Sequence, residues 1–343
     1  MKKFKKRIFF LLSIFLFSLV LFLYINNNIL LAKENPRMPK IGMAVEFNDH
    51  AACAYVAKYK GWFKKAGLNI KSFESYITGV ALASALVRGD IQVAYICLAP
   101  AINAYGNGKV KIKIVSGTHL YGYGLVVNQA KINSLKDLED PHIKVACVRE
   151  GSQCDLFMNL LFKKESISKK LILKKIMRMN PPHQIILIKA KRIDAAFLPE
   201  HYASLAERLN FKMIYTAKDL WQGFPGSVIV VKNELIKNHP EIVKTIVNIS
   251  KKATRWINNH PEEAVQIIKK ELTISGEKIF PSKLSKITLS LVIKKEDIDR
   301  SMKRLVYTNY VDPAMVQKVI NKMAEIGYLK SGFDAKDILD LSF

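Results

Sequence analysis

An α/β fold built from two units is the architecture this chain predicts, and three observations point to it. From Ile41 to Val231 short β-type apolar runs alternate with amphipathic helical segments, the pattern of sheets covered by helices. The length, 343 residues, suits two domains at roughly 150 residues each. Half of the residues are hydrophobic and 24% are charged, enough apolar material for a real core and too much for wholesale disorder. Collagen-like and coiled-coil readings fail on composition. A polytopic membrane protein fails because only one uninterrupted apolar run is long enough to span a bilayer.

The elements follow in order. Ile41–Val45 reads as a buried strand, and Asp49 is placed to cap the next helix. In that helix Ala52, Tyr55, Val56, Tyr59 and Phe63 share a face, and Gly67 stands at its end. Asn69–Glu74 alternates like a strand, Thr78-Gly79 opens a helix over Val80–Val87, and Gly89 closes it. Val93–Cys97 is a strand, Pro100 suits the first turn of the next helix, and Lys111–Val115 and Gly124–Val127 are strands. This order predicts a mostly parallel sheet.

A second unit begins near Lys144. Lys144–Val148 is a strand, and Ser152 with Asp155 forms a capping box on the helix that follows. Leu171–Ile176 reads as a strand, Asn180-Pro181 as a helix start, and Ala195–Leu198 as a strand. A helix from Pro199 to Leu209 and the strand Lys212–Tyr215 complete the unit. Ser227–Val231 is one more strand, and the chain beyond Glu234 reads as helical, with Pro240, Pro261 and Pro313 at helix starts.

The N-terminus is an address. Lys2, Lys3, Lys5, Lys6 and Arg7 precede the apolar run Ile8–Ile25, the arrangement of an export signal. The run approaches the ~20 residues of a membrane span, and Ala32 after Leu30 and Leu31 is a poor cleavage site. Cleavage and retention as an anchor therefore both stay open, and either leaves the body outside the cytoplasm. The net charge of +25 is scattered rather than striped with aromatic residues, so solvated surface is expected and nucleic acid is not. Cys53, Cys97, Cys147 and Cys154 show neither CxxC nor zinc spacing, which favours small buried thiols and no metal.

The search for catalytic motifs is negative: no P-loop, nucleophile elbow, HExxH or dinucleotide fingerprint occurs. Gly122-Tyr123-Gly124 enters a strand rather than leaving one, so it fails the dinucleotide context. The polar turns that follow strands remain. They are Glu46-Phe47-Asn48, Thr78-Gly79, Cys97 to Pro100, Gly117-Thr118, Gly151-Ser152-Gln153 and Glu200-His201. Open α/β sheets bind ligands at such strand ends. Thr78-Gly79 and Ser152-Gln153 stand at helix N-termini, which favour an anion or acceptor, although Thr and Ser there also simply cap helices. Arg149, just before the Gly151 turn, is the one Arg or Lys placed to enter the cleft, and it could equally face solvent beside Glu150. Glu46, Glu200 and His201 would disfavour a dianion and could pair with an amine or ring nitrogen.

Several segments resemble a known family. Tyr59-Lys60-Gly61-Trp62-Phe63-Lys64-Lys65-Ala66-Gly67-Leu68 is similar to a segment of the ABC-transporter substrate-binding proteins for nitrate, sulfonates, taurine and thiamine precursors. Ala85 to Asp90, Ile132 to Leu138, Arg192 to Ala196 and His239-Pro240-Glu241 extend the similarity over about residues 40–270. The resemblance implies a two-lobe class II periplasmic-binding-protein fold, a small-molecule ligand in a cleft between lobes, an ABC permease as partner, a monomer, and no catalysis or cofactor. Residues 1–39 are then signal or anchor plus linker, 40–127 with 219–343 the first lobe, and 128–218 the second. The crossovers are expected near Val127–Gln129 and Trp221–Ser227. The expected ligand is a small polar organic or anionic solute: a sulfonate, nitrate or a pyrimidine-like molecule. The ligand-binding candidates are Glu46, Phe47, Asn48, Thr78, Gly79, Cys97, Thr118, Ser152, Gln153, Glu200 and His201. Two other classes compete: a membrane-anchored sensory domain, and an enzyme of the pyrimidine-synthase type, whose Cys-rich iron-site motif is missing here.

Overall fold

The computed structural model describes residues 39–279 and 293–343. The apolar run Ile8–Ile25 and its basic flank lie outside them. No helix among the described residues is long and apolar enough to cross a membrane.

Two five-stranded sheets form the frame. The first holds β1 (Ile41–Glu46), β2 (Ile70–Tyr76), β3 (Val93–Cys97), β4 (Ile112–Gly117) and β11 (Ser227–Lys232) in the order β2-β1-β3-β11-β4. The second holds β6 (Tyr123–Val127), β7 (Val145–Cys147), β8 (Met177–Arg178), β9 (Ala195–Pro199) and β10 (Lys212–Thr216) in the order β10-β6-β9-β7-β8. From opposite edges the two orders match. In each sheet the strand made directly after the chain arrives from the other sheet, β11 or β6, runs antiparallel to both neighbours. Only β1 with β2 and β3, and β7 with β8 and β9, pair in parallel. Each sheet is thus mixed rather than mostly parallel. Alternation of strand and helix specifies parallel neighbours within a unit, but not which strand the other unit inserts.

The strand Tyr123–Val127, expected in the first lobe, belongs to the second sheet. The chain first passes between sheets before Tyr123, through β5 (His119–Tyr121), and not at Val127–Gln129. The return runs from β10 through the short helix Ala217–Leu220 to β11 and includes the expected Trp221–Ser227. β5 pairs with β12 (Leu305–Tyr307), a short strand among the helices described after Asn233.

The helices form where caps and apolar spacing agree. α1 (Ala52–Tyr59) follows a short 3-10 turn whose N-cap is Asn48, not Asp49: the Asn48 side chain accepts from His50 N–H at 3.1 Å. Asp49 is instead fully buried, with its carboxylate on the Ser301 hydroxyl. Gly61, at φ +68°, separates α1 from α2 (Trp62–Lys65), so Tyr59 turns outward and is 45% exposed rather than on the buried face. α3 (Gly79–Arg88) and α4 (Leu98–Gly106) follow β2 and β3, with Thr78 capping α3 through Ala81 N–H at 3.2 Å.

In the second unit α5 (Gln153–Lys164) is capped by Ser152, which accepts from Asp155 N–H at 3.3 Å. The reciprocal half of the expected capping box is missing: Ser152 N–H donates to Arg149 O, and Asp155 takes Gly151 N–H, Arg178 at 2.5 Å and the Tyr328 hydroxyl. The expected strand Leu171–Ile176 is mostly the helix α6 (Lys169–Leu173), and the strand is the shorter Met177–Arg178 that follows. Its apolar run was too short to separate the two states by periodicity. α7 (Pro181–Lys189) starts at the Asn180 cap, and α8 (Tyr202–Arg208) begins three residues after Pro199, which ends β9 instead. Long amphipathic helices Pro240–Asn259 and Pro261–Ile279 pack against α1. All four cysteines are buried and unpaired.

Candidate functional site

The turns after β1, β2 and β3 of the first sheet meet those after β7, β8 and β9 of the second around one cavity. Its free volume is about 20 Å³, room for about one water molecule. The first unit contributes Glu46, Asn48, Ile77, Thr78, Gly79, Cys97 and Pro100, and the second Val148, Ser152, Gln153, Cys154, Pro181, Pro199 and Tyr202. Tyr123, the first residue of β6, completes the lining. This is a cleft between two sheets, closed down to a small polar pocket with proline and tyrosine walls.

Glu46 is the charged side chain in the pocket, 5% exposed. Its Oε1 accepts from Cys97 N–H at 2.6 Å, and Gly79 N–H donates to the same carboxyl group. The Cys97 thiol donates to Oε2 at 3.1 Å, and the Asn48 amide adds a longer contact at 3.4 Å. Burial pushes the Glu46 carboxyl above its usual range, and the Cys97 and Asn48 contacts oppose that rise. Cys97 Sγ also lies 3.0 Å from the Tyr123 hydroxyl, and burial with the nearby Glu46 charge raises this thiol. Cys97 is accordingly a poor thiolate.

Two histidines sit behind this pocket where the chain crosses between sheets. His50 Nε2 is 3.0 Å from the Gly122 carbonyl, which can only accept, so the proton is on Nε2. Ser227 N–H donates to His119 Nε2 at 3.0 Å, so the opposite tautomer holds there. The two rings are 4.2 Å apart, and burial lowers both basicities, His119 to about 3. Both stay neutral, and their partners tie the two chain crossings together.

Gln153 spans the cleft. From the start of α5 its Oε1 accepts from Ala99 N–H at 2.7 Å, and its Nε2 donates to the Pro225 carbonyl at 3.0 Å. Ala99 belongs to the first unit, and Pro225 to the return crossing. Ser152 lines the pocket with its hydroxyl engaged as the α5 cap, and the Thr78 hydroxyl is engaged likewise on α3.

Four expected residues stand outside the lining. The Phe47 ring packs against Gly276, and its carbonyl accepts from the Tyr202 hydroxyl at 3.1 Å. Thr118 donates from its hydroxyl and its N–H to Ser227 O, both at 3.0 Å. Glu200 is tied to Arg304 at 3.0 Å and to Ser204 at 2.8 Å, although burial still raises its carboxyl. His201 stacks on Tyr202 at 4.4 Å, and neither of its ring nitrogens has a partner among the described residues. The lining residues that strand-end reasoning missed are chiefly apolar or aromatic: Ile77, Tyr123, Val148, Cys154, Pro181, Pro199 and Tyr202. Tyr123 had a signal, its glycine neighbours on both sides, which fitted no phosphate-binding context.

Two sheets of matching order, joined by two crossings and closing on a cavity between their strand ends, define the two-lobe fold of periplasmic binding proteins. Solved structures of that class superpose on most of the chain. The ligand-binding component of an ABC-type import system from Staphylococcus aureus, with zinc bound, aligns at a TM-score of 0.70 and 17% identity, covering 88% of this chain and 96% of that one. The nitrate-binding protein NrtA from Synechocystis PCC 6803 aligns at 0.69 and 16%, covering 88% and 85%. A putative binding protein of Brucella abortus (strain 2308) is 26% identical over 228 residues, 64% of this chain and 67% of that protein. The NMT1-like family model matches residues 33–270, and the chain belongs to that family.

Proposed function

We propose that this protein is the extracytoplasmic solute-binding component of an ABC importer, which takes a small polar solute between its lobes and presents it to a permease without chemical turnover. The single observation that carries this reading is the cavity at facing strand ends, closed across by Gln153. The fold shared with import-system binding components supports it, as do the basic n-region and apolar run before Asn26. The chemistry of the pocket is that of a receptor. Its buried thiol is held protonated, its carboxyl is occupied by backbone donors, and its neighbouring histidines are locked in fixed tautomers. The Cys97 thiol, the nucleophile type nearest a base there, donates to Glu46 and lies 3.9 Å from His50 Nδ1, and burial keeps it protonated.

Differential scanning fluorimetry over a panel of small solutes tests the reading. A ligand at 100 times its Kd stabilises the native state by about 2.7 kcal/mol, a readily seen shift. A panel including amines, sulfonates, nitrate and heterocycles that moves the transition nowhere counts against it. Mass spectrometry of the mature N-terminus decides between cleavage and anchoring: a start near Lys33 excludes a retained anchor.

A further inference from the structure

We infer that Glu46 is a built-in carboxyl that fills the two helix N-termini on the first unit's wall of the cleft, so that the site disfavours nitrate and sulfonates and takes a solute presenting an N–H donor or a positive charge. The inference rests on the receptor reading and names the chemical class of its ligand. Helix N-termini attract anions through unpaired N–H groups and the helix dipole. Here Cys97 N–H, before α4, and Gly79 N–H, the first of α3, both point at the Glu46 carboxyl group. A β-carbon on Gly79 would stand 2.3 Å from Glu46 Oε1, so the carboxyl is pressed directly onto the α3 terminus. A solute anion would have to displace a covalently attached one.

The opposite wall offers fewer donors and, among the described residues, no cation. α7, which follows β8 as α3 follows β2, begins Pro181-Pro182, and neither proline has an N–H to give. The Asn180 side chain accepts from the next donor, His183 N–H, at 3.0 Å. At α5 Ser152 caps the Asp155 N–H, and the Gln153 side chain is spent on Ala99 and Pro225. The backbone N–H groups of Gln153 and Cys154, which have no acceptor within the helix, are therefore the donors of that wall. No Lys or Arg is among the described residues lining the cavity, and Glu46 is its one acidic residue. The pocket thus has a charge of zero or minus one, the wrong sign for an anion. Burial that raises the Glu46 carboxyl leaves it ready to ionise against a cation, which would offset the desolvation.

The test compares wild type, Glu46→Gln and Glu46→Ala by thermal shift and calorimetry. The probes are acetamidinium and 4-aminopyridinium on one side, and sodium nitrate and methanesulfonate on the other. The wild type should be stabilised by the cationic probes and not by the anions. Glu46→Gln, which keeps the side-chain volume and serves as the folding control, should bind the cations about tenfold or more weakly. Glu46→Ala, with two N–H donors released, should acquire a methanesulfonate or nitrate shift. Stabilisation of the wild type by either anion overturns the inference and leaves the receptor reading standing. A Glu46→Ala protein that is folded yet indifferent to anions also overturns it. Failure of every probe on all three proteins overturns the receptor reading with it.

Discussion

Gly79 shows what one side chain more would do. Its missing β-carbon is space that Glu46 Oε1 and Pro100 Cγ occupy, at 2.3 and 2.8 Å from where that atom would be. Gly79→Ala should therefore push the Glu46 carboxyl off the α3 terminus and cost about 1–3 kcal/mol through overpacking. A urea midpoint within error of wild type would contradict that close approach. His201 makes the opposite case. Its buried imidazole has no partner for either nitrogen among the described residues and stacks on Tyr202. An unsatisfied buried polar group costs about 1–3 kcal/mol, so His201→Phe should leave stability at pH 7 unchanged or raised. Burial lowers His201 to about 3, against about 6.5 in an unfolded chain. Between those values the unfolded chain holds a proton that the native one does not, so this histidine removes stability as pH falls below about 6.5. His201→Phe should flatten the slope of unfolding free energy in that window by up to about 1.4 kcal/mol per pH unit. Equal slopes for the two proteins from pH 4 to 6.5 would contradict the assignment.

At the scale of elements, the second unit depends on a link that runs through its shortest strand. Arg178 in β8 reaches the fully buried Asp155 in the first turn of α5 at 2.5 Å and also donates to Val148 O at 2.8 Å. Tyr328, which follows the helix Pro313–Glu325, closes on the same carboxylate. One ion pair thus joins a strand, the helix N-terminus beside the cleft and the C-terminal part of the chain. Arg178→Met should leave Asp155 buried without its cation, held only by Tyr328 and Gly151 N–H, a loss approaching about 3 kcal/mol. The double variant Arg178→Met with Asp155→Asn should recover part of it. Chemical denaturation of the three proteins reads both effects, and strictly additive losses would show that the two groups act separately. The same helix positions could be anticipated locally, since Ser152, Thr78 and Asn180 are all N-cap residues at helix starts. The expected Ser152–Asp155 box is only half formed, because Ser152 N–H donates to Arg149 O while Asp155 takes Gly151 N–H and Arg178 instead.

For the whole molecule, the question is what holds the two lobes together. Gln153 makes two hydrogen bonds out of the second unit, one across the cleft to Ala99 and one to Pro225 in the return crossing, and His50, His119 and Thr118 brace the crossings. At roughly 1 kcal/mol per hydrogen bond, Gln153→Ala should shift a closed-to-open equilibrium by roughly tenfold to thirtyfold and weaken any ligand that needs closure by a similar factor. Small-angle scattering should then show a larger radius of gyration for the variant than for wild type, and compaction of wild type with a saturating ligand. Identical scattering under all of these conditions would remove hinge closure from the account. A free volume of about 20 Å³ makes opening a requirement for entry, because no organic solute fits a space that size.

The amino-acid sequence alone determined most of the order of strands and helices, most helix starts, and polar turns of which four in six line the cleft. Periodicity, glycines and capping residues act over a few positions and leave a local record. It also placed Glu46, Asn48, Thr78, Gly79, Cys97, Ser152 and Gln153 at strand ends, and all of them line the cavity. Only the tertiary structure decided that Tyr123–Val127 joins the second sheet, that β6 and β11 run antiparallel to their neighbours, and that Arg178 finds Asp155. It alone seated Glu46 on the backbone of Cys97, 51 positions away. Strand pairing, ion pairs and the filling of a helix N-terminus are contacts between segments far apart in the chain. Their partners are chosen by packing and by the cost of burying a charge without donors, and no local pattern records that choice.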